Sequence, residues 1–138
     1  MRKIILFVGL IMVFAPVIRA QTTDYKVVFD MSSKDTINHQ TVVREITLIK
    51  KANPQAKLEV VVYGPGLDLV LKDKSTKAEA IQQLLKYENV SFKVCAVTMQ
   101  RNNVVESQLV AGVRPVADGI YEIISKQNEG WGYIKVAH

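Results

Sequence analysis

Three short runs of β-branched and aromatic residues recur along the chain, at positions 25–30, 58–63 and 90–96. Each is followed by a stretch with helical spacing. A strand that is apolar at nearly every position, as in Val60-Val61-Val62-Tyr63, is buried on both faces. Two buried faces need a covering layer on each side, and strands alternating with helices supply it. The expected fold is therefore α/β: a three-layer α/β/α sandwich around a mostly parallel sheet of about five strands, flavodoxin-like in size.

The intervening segments fill in this plan. Asp35 can cap a helix running to position 51, with Val42, Val43, Ile46 and Ile49 as its apolar stripe. Asn53-Pro54 ends it, since proline lacks an amide proton and disfavours helix before it. Gly64-Pro65-Gly66 makes a turn, and 67–71 is long enough for one helical turn. Thr76 and Glu79 fit a capping box for a helix to about position 87. A short helix starts near Thr98, and 104–111 is ambiguous. Positions 113–116 read as a fourth strand, placed near an edge by its proline. A helix from about 117 to 127 has Ile120, Ile123 and Ile124 as its expected core face. Positions 133–136 give a last strand.

The first 20 residues read differently. Arg2 and Lys3 precede an uncharged apolar run at 4–15, then Pro16 and a small residue, Ala20. This is the layout of a secretory signal peptide. The run is shorter than the ~20 residues that span a bilayer. The expectation is a signal peptide at 1–20 cut after Ala20, and a single domain at 21–138 in the periplasm or outside the cell. Once cleaved, that domain would have no membrane attachment.

Export changes the meaning of the charge. The whole chain carries 18 bases and 13 acids, a net +5. Loss of Arg2, Lys3 and Arg19 leaves a near-neutral domain. Nucleic-acid binding needs clustered bases, so no nucleic-acid partner is expected. Lys50 and Lys51 read as a solvated helix end. A lone His39 on a helix face reads as solvated, and His138 as a terminal residue. Asp30, at the end of the first strand, reads as a turn cap. No metal-ligand spacing is present, and no cofactor is expected.

One cysteine excludes an internal disulfide and a cysteine-based metal site. It also fixes where thiol chemistry must occur. Ligands of open parallel sheets sit at the C-terminal strand ends, and Cys95 ends the third strand. Thr98 is placed to cap the next helix near the thiol, and Arg101, one turn on, to add positive charge. Free amides at a helix start favour a thiolate. A buried cysteine that merely fills space fits the same position.

The segments YKVVFD, VVVYGPGLDLVL, FKVCAVTMQRNNV and GIYEIISKQNEGWGYIKV, in this order, resemble the DsrE/DsrF-like family of small sulfur-relay proteins. The resemblance covers nearly all of the exported part. It implies a compact α/β sandwich, assembly into homotrimers or hexamers, and Cys95 as the sulfur-accepting residue. The signal peptide departs from the cytoplasmic relay members, so their partners are not carried over. Two functions remain in competition. One is a carrier holding sulfane sulfur as a Cys95 persulfide, with an unidentified donor and acceptor or small ligand. The other is a non-catalytic oligomeric module with an inert cysteine.

Overall fold

The computed structural model describes residues 24–137. The signal-peptide segment and His138 lie outside the described residues. Five strands form one sheet: β1 (Lys26–Met31), β2 (Lys57–Val62), β3 (Val90–Cys95), β4 (Arg114–Val116) and β5 (Gly132–Lys135). Their order is β4-β3-β2-β1-β5, and every neighbouring pair is parallel. The helices are α1 (Thr36–Ala52), α2 (Ala78–Leu84), α3 (Ala96–Arg101) and α4 (Gly119–Asn128), with a 3-10 segment at Gly64–Val70. No helix among the described residues is long and apolar enough to cross a membrane.

Crossover handedness explains the layering. The strands β1 to β4 add in one direction, so right-handed connections put their helices on one face. The chain then jumps back past β1 to place β5, which puts α4 on the opposite face. The core follows the pleat. Phe29, Val60, Val62, Phe92 and Val94 face the large core with Val42, Ile46, Ile81 and Met99. Their neighbours Val28 and Val61 face Ile123 of α4 in a small second cluster.

That asymmetry overturns part of the expected α4 face. Only Ile123 is buried; Ile120 and Ile124 are about half exposed. One helix cannot cover a five-stranded face, so its flanking residues stay in solvent. The expected capping box of α2 does not form either. The helix starts at Ala78 with no side-chain cap, and Ser75 Oγ instead accepts from the Lys77 amide in the preceding turn. By contrast, Asp35 caps α1 through the Ile37 amide at 2.8 Å, and Asn53 ends it. The fourth strand lies at the sheet edge, as its proline requires.

Three polar residues read as solvated or turn-forming are buried. Lys50 donates to the carbonyls of Pro54 and Ala56 and to Asn89 Oδ1, at 2.5, 3.0 and 2.5 Å. Burial pushes its pKa down. Its three donors are matched by three oxygens, so it pins the α1 end to β2 and β3. His39 Nε2–H donates to the Ser33 carbonyl at 2.8 Å and is 3% exposed. Asp30 does not cap its turn. It accepts from Tyr133 Oη at 2.6 Å and Lys135 Nζ at 3.2 Å, tying the exposed strand β5 to β1.

Candidate functional site

The connection after β3 stays on the large-core face, while the one after β4 crosses to the other. The outgoing chain therefore diverges at the C-terminal ends of these two strands. Ligands of open α/β sheets bind at such a switch point. Cys95 is the last residue of β3, and its ladder partner Val116 is the last of β4. Cys95 therefore stands at this switch point, 7% exposed.

Two helix starts converge on it. Cys95 occupies the N-cap position of α3, so the Val97 and Thr98 amides are turned toward its sulfur. The Gly119 amide, at the start of α4, joins them from the other face. Asp118 caps α4 by accepting from the Ile120 and Tyr121 amides, which leaves the Gly119 amide unclaimed by that cap. Burial pushes the Cys95 thiol up. The donors of Gly119, Thr98 and Val97 outweigh that, so its pKa lies below the ordinary thiol value. No single contact has the geometry of a complete side-chain cap. The effect is the summed field of aligned donors.

Gly119 is glycine for a packing reason. A Cβ there would stand 3.1 Å from Cys95 Cβ and 3.3 Å from Tyr63 Cβ. Only a residue without a side chain lets the start of α4 approach the cysteine this closely.

Thr98 belongs to the site in a different role from the one expected. It lies inside α3 and does not cap it. Its Oγ1 accepts from the Gly64 amide at 2.9 Å. That bond occupies a lone pair and leaves the hydroxyl proton free to point at Cys95 sulfur, where it lowers the thiol pKa. Thr98 therefore relays polarisation from the turn after β2 to the cysteine. Arg101 does not reach the site. It occupies the last turn of α3, is exposed, and is absent from the groups that shift Cys95. A cation there complements the negative end of the helix. Spacing along the sequence gave Arg101 the right helix and the wrong end.

Tyr63 and Gly64 come from the strand end after β2, one of the three C-terminal ends that the sequence places on the ligand edge. Gly119 acts through a backbone amide that carries no sequence signature, and Tyr63 packs against the same helix start.

Among the described residues, no group of His, Cys, Asp and Glu is arranged to hold a metal ion. What the fold defines is an open parallel α/β protein with its one cysteine at the switch point. The model of the DsrE/DsrF-like family matches residues 25–136, and the chain belongs to that family. Among solved structures, a protein of unknown function, MTH1491 from Methanobacterium thermoautotrophicum, is 27% identical with a TM-score of 0.76. The match covers 81% of this chain and 99% of that one. The ychN protein from E. coli is 13% identical, with a TM-score of 0.64, over 80% of this chain and 98% of that chain. A conserved protein of unknown function, BT1422 from Bacteroides thetaiotaomicron, is 13% identical, with a TM-score of 0.65, over 85% and 99%. The latter two likenesses concern the fold alone. No curated protein matches.

Proposed function

We propose that this protein is an exported sulfur carrier that holds sulfane sulfur on Cys95. The observation that supports it best is the convergence of donors from α3 and α4 on one thiol at the sheet's switch point. The chemistry follows from the thiolate. Cys95 sulfur attacks the outer sulfur of a donor R–S–SH. A bond forms between the two sulfurs, the donor's S–S bond breaks, and R–SH leaves with the proton. An acceptor thiolate then attacks the terminal sulfur of the persulfide and releases the Cys95 thiolate. The same donors that favour the thiolate would favour the persulfide anion.

In this reading the first 20 residues direct export and are removed. The working unit is a homo-oligomer, consistent with the exposed Ile120, Tyr121 and Ile124 on α4. Intact-mass analysis of protein recovered from the exported fraction tests both parts. The expected mass begins at Gln21 and includes a fraction carrying one added sulfur that is lost on reduction. A mass that never carries added sulfur, even after polysulfide treatment, refutes the carrier.

The same exposed patch on α4 also favours a second reading, an assembly module with an inert thiol. Full function of a Cys95→Ser variant in cells lacking the native protein would select that reading.

A further inference from the structure

Lys93 and Arg114 stand opposite each other in the β3–β4 ladder, two residue pairs before Cys95 and Val116 and so on the same face. Their neighbours Phe92, Val94 and Val113 are buried in the large core. Lys93 and Arg114 therefore project from the other side, the one α4 covers only in part. Among the described residues, no carboxylate lies within ion-pair distance of either. Like charges directly opposite on a ladder destabilise a sheet. The fold tolerates that repulsion on a three-residue edge strand, next to the reactive thiol.

We infer that Lys93 and Arg114 form an oxyanion-binding subsite that selects sulfur donors bearing a negatively charged oxyanion group, such as thiosulfate or an organic thiosulfonate. This deepens the carrier reading and rests on it. Two residues along a strand span about 6.6 Å, a gap comparable to a thiosulfonate lying end-on against the thiolate. The guanidinium offers a planar fork that matches an oxyanion, and the ammonium adds a point charge. The limited exposure of Cys95 favours a small donor over a protein surface. With thiosulfate, the Cys95 thiolate attacks the outer sulfur. The new S–S bond forms as the thiosulfate S–S bond breaks, and sulfite leaves with the electron pair. No further oxidant or reductant is required. The two cations attract the dianion and hold sulfite as its charge shifts.

The test compares wild type with the Lys93→Gln, Arg114→Gln double variant. Arg114 is exposed and Lys93 half-buried, glutamine keeps much of each side chain's length, and removing the repulsion offsets what packing is lost. Cys95 is alkylated with iodoacetate and with iodoacetamide, which differ in charge and little in size. The expected result is an iodoacetate-to-iodoacetamide rate ratio about tenfold lower in the variant, with the iodoacetamide rate little changed. Sulfur gain from thiosulfate, read by intact mass, falls in parallel. An unchanged ratio, or a measurable sulfur gain from thiosulfate that is equal in both proteins, overturns the inference. If the ratio falls but wild type gains no sulfur from any donor, neutral or anionic, the carrier reading fails and the donor class falls with it. The anion subsite itself then stands on the ratio.

Discussion

Substituting Glu59 by glutamine should stabilise this protein at neutral and alkaline pH and do nothing in acid. Glu59 lies on β2 beneath α4 and is 3% exposed. Its Oε2 accepts from Ser91 Oγ at 2.7 Å, while its Oε1 is buried without a partner. Burial raises its pKa above the ordinary carboxyl range, and the neighbouring Glu122 raises it further against the opposing pull of Ser91 and Lys126. In the window between the unfolded value and the raised folded value, the native state keeps a proton that the unfolded chain has lost. Stability therefore falls as pH rises through that window, and the full penalty persists above it. Glutamine can still accept from Ser91, and its amide can donate toward Glu122. Removing one buried, unsatisfied polar group is worth about 1–3 kcal/mol, which shifts Tm by several degrees in a domain this size. Urea denaturation of both proteins at pH 4, 6 and 8 measures it. The two curves should coincide at pH 4 and separate by that amount at pH 8. A variant no more stable than wild type at pH 8, or a gain equal at all three values, would refute the reasoning.

Other consequences are open to measurement. Thr98→Val removes the hydroxyl between Gly64 and Cys95, so the thiol pKa should rise toward its ordinary value; Thr98→Ser should retain the low value. Gly119→Ala forces the start of α4 away from Cys95 and Tyr63, which should cost about 1–3 kcal/mol and raise the thiol pKa as well. Lys50→Met leaves the buried Ala56 carbonyl and the half-buried oxygens of Pro54 and Asn89 without their donor and should destabilise the fold by about 1–3 kcal/mol, as read by chemical denaturation. Tyr133 titrates at about 12 because its hydroxyl serves the Asp30 carboxylate. Ultraviolet titration of wild type against Tyr133→Phe should show that late tyrosine and its loss.

The sheet was legible in the sequence because its inner strands are apolar at nearly every position. The first helix was legible because Asp35, the stripe from Val42 to Ile49, and Pro54 all agree. What was not legible depends on distant partners. Lys50 looks like a surface residue until Asn89, 39 positions away, is seen beside it. Asp30 meets Tyr133 and Lys135 only when the chain returns to the far side of β1. The apolar spacing of α4 predicts three core isoleucines. The topology leaves one helix on that face, so two of them find nothing to cover them. Cys95 ends β3, where its run of strand residues puts it. Thr98 lies inside α3 and not at its cap, because the helix begins two residues before it. The pairing of Lys93 with Arg114 required the register of a three-residue strand, which no local pattern encodes.

The central claim is that Cys95 is an activated thiol. The rate of its alkylation by iodoacetamide as a function of pH tests this most directly, since only the thiolate reacts. The rate should reach its plateau with a midpoint below ~8.5, the ordinary thiol value. A midpoint at or above that value would mean that burial prevails over the amides of α3 and α4, and would contradict the account.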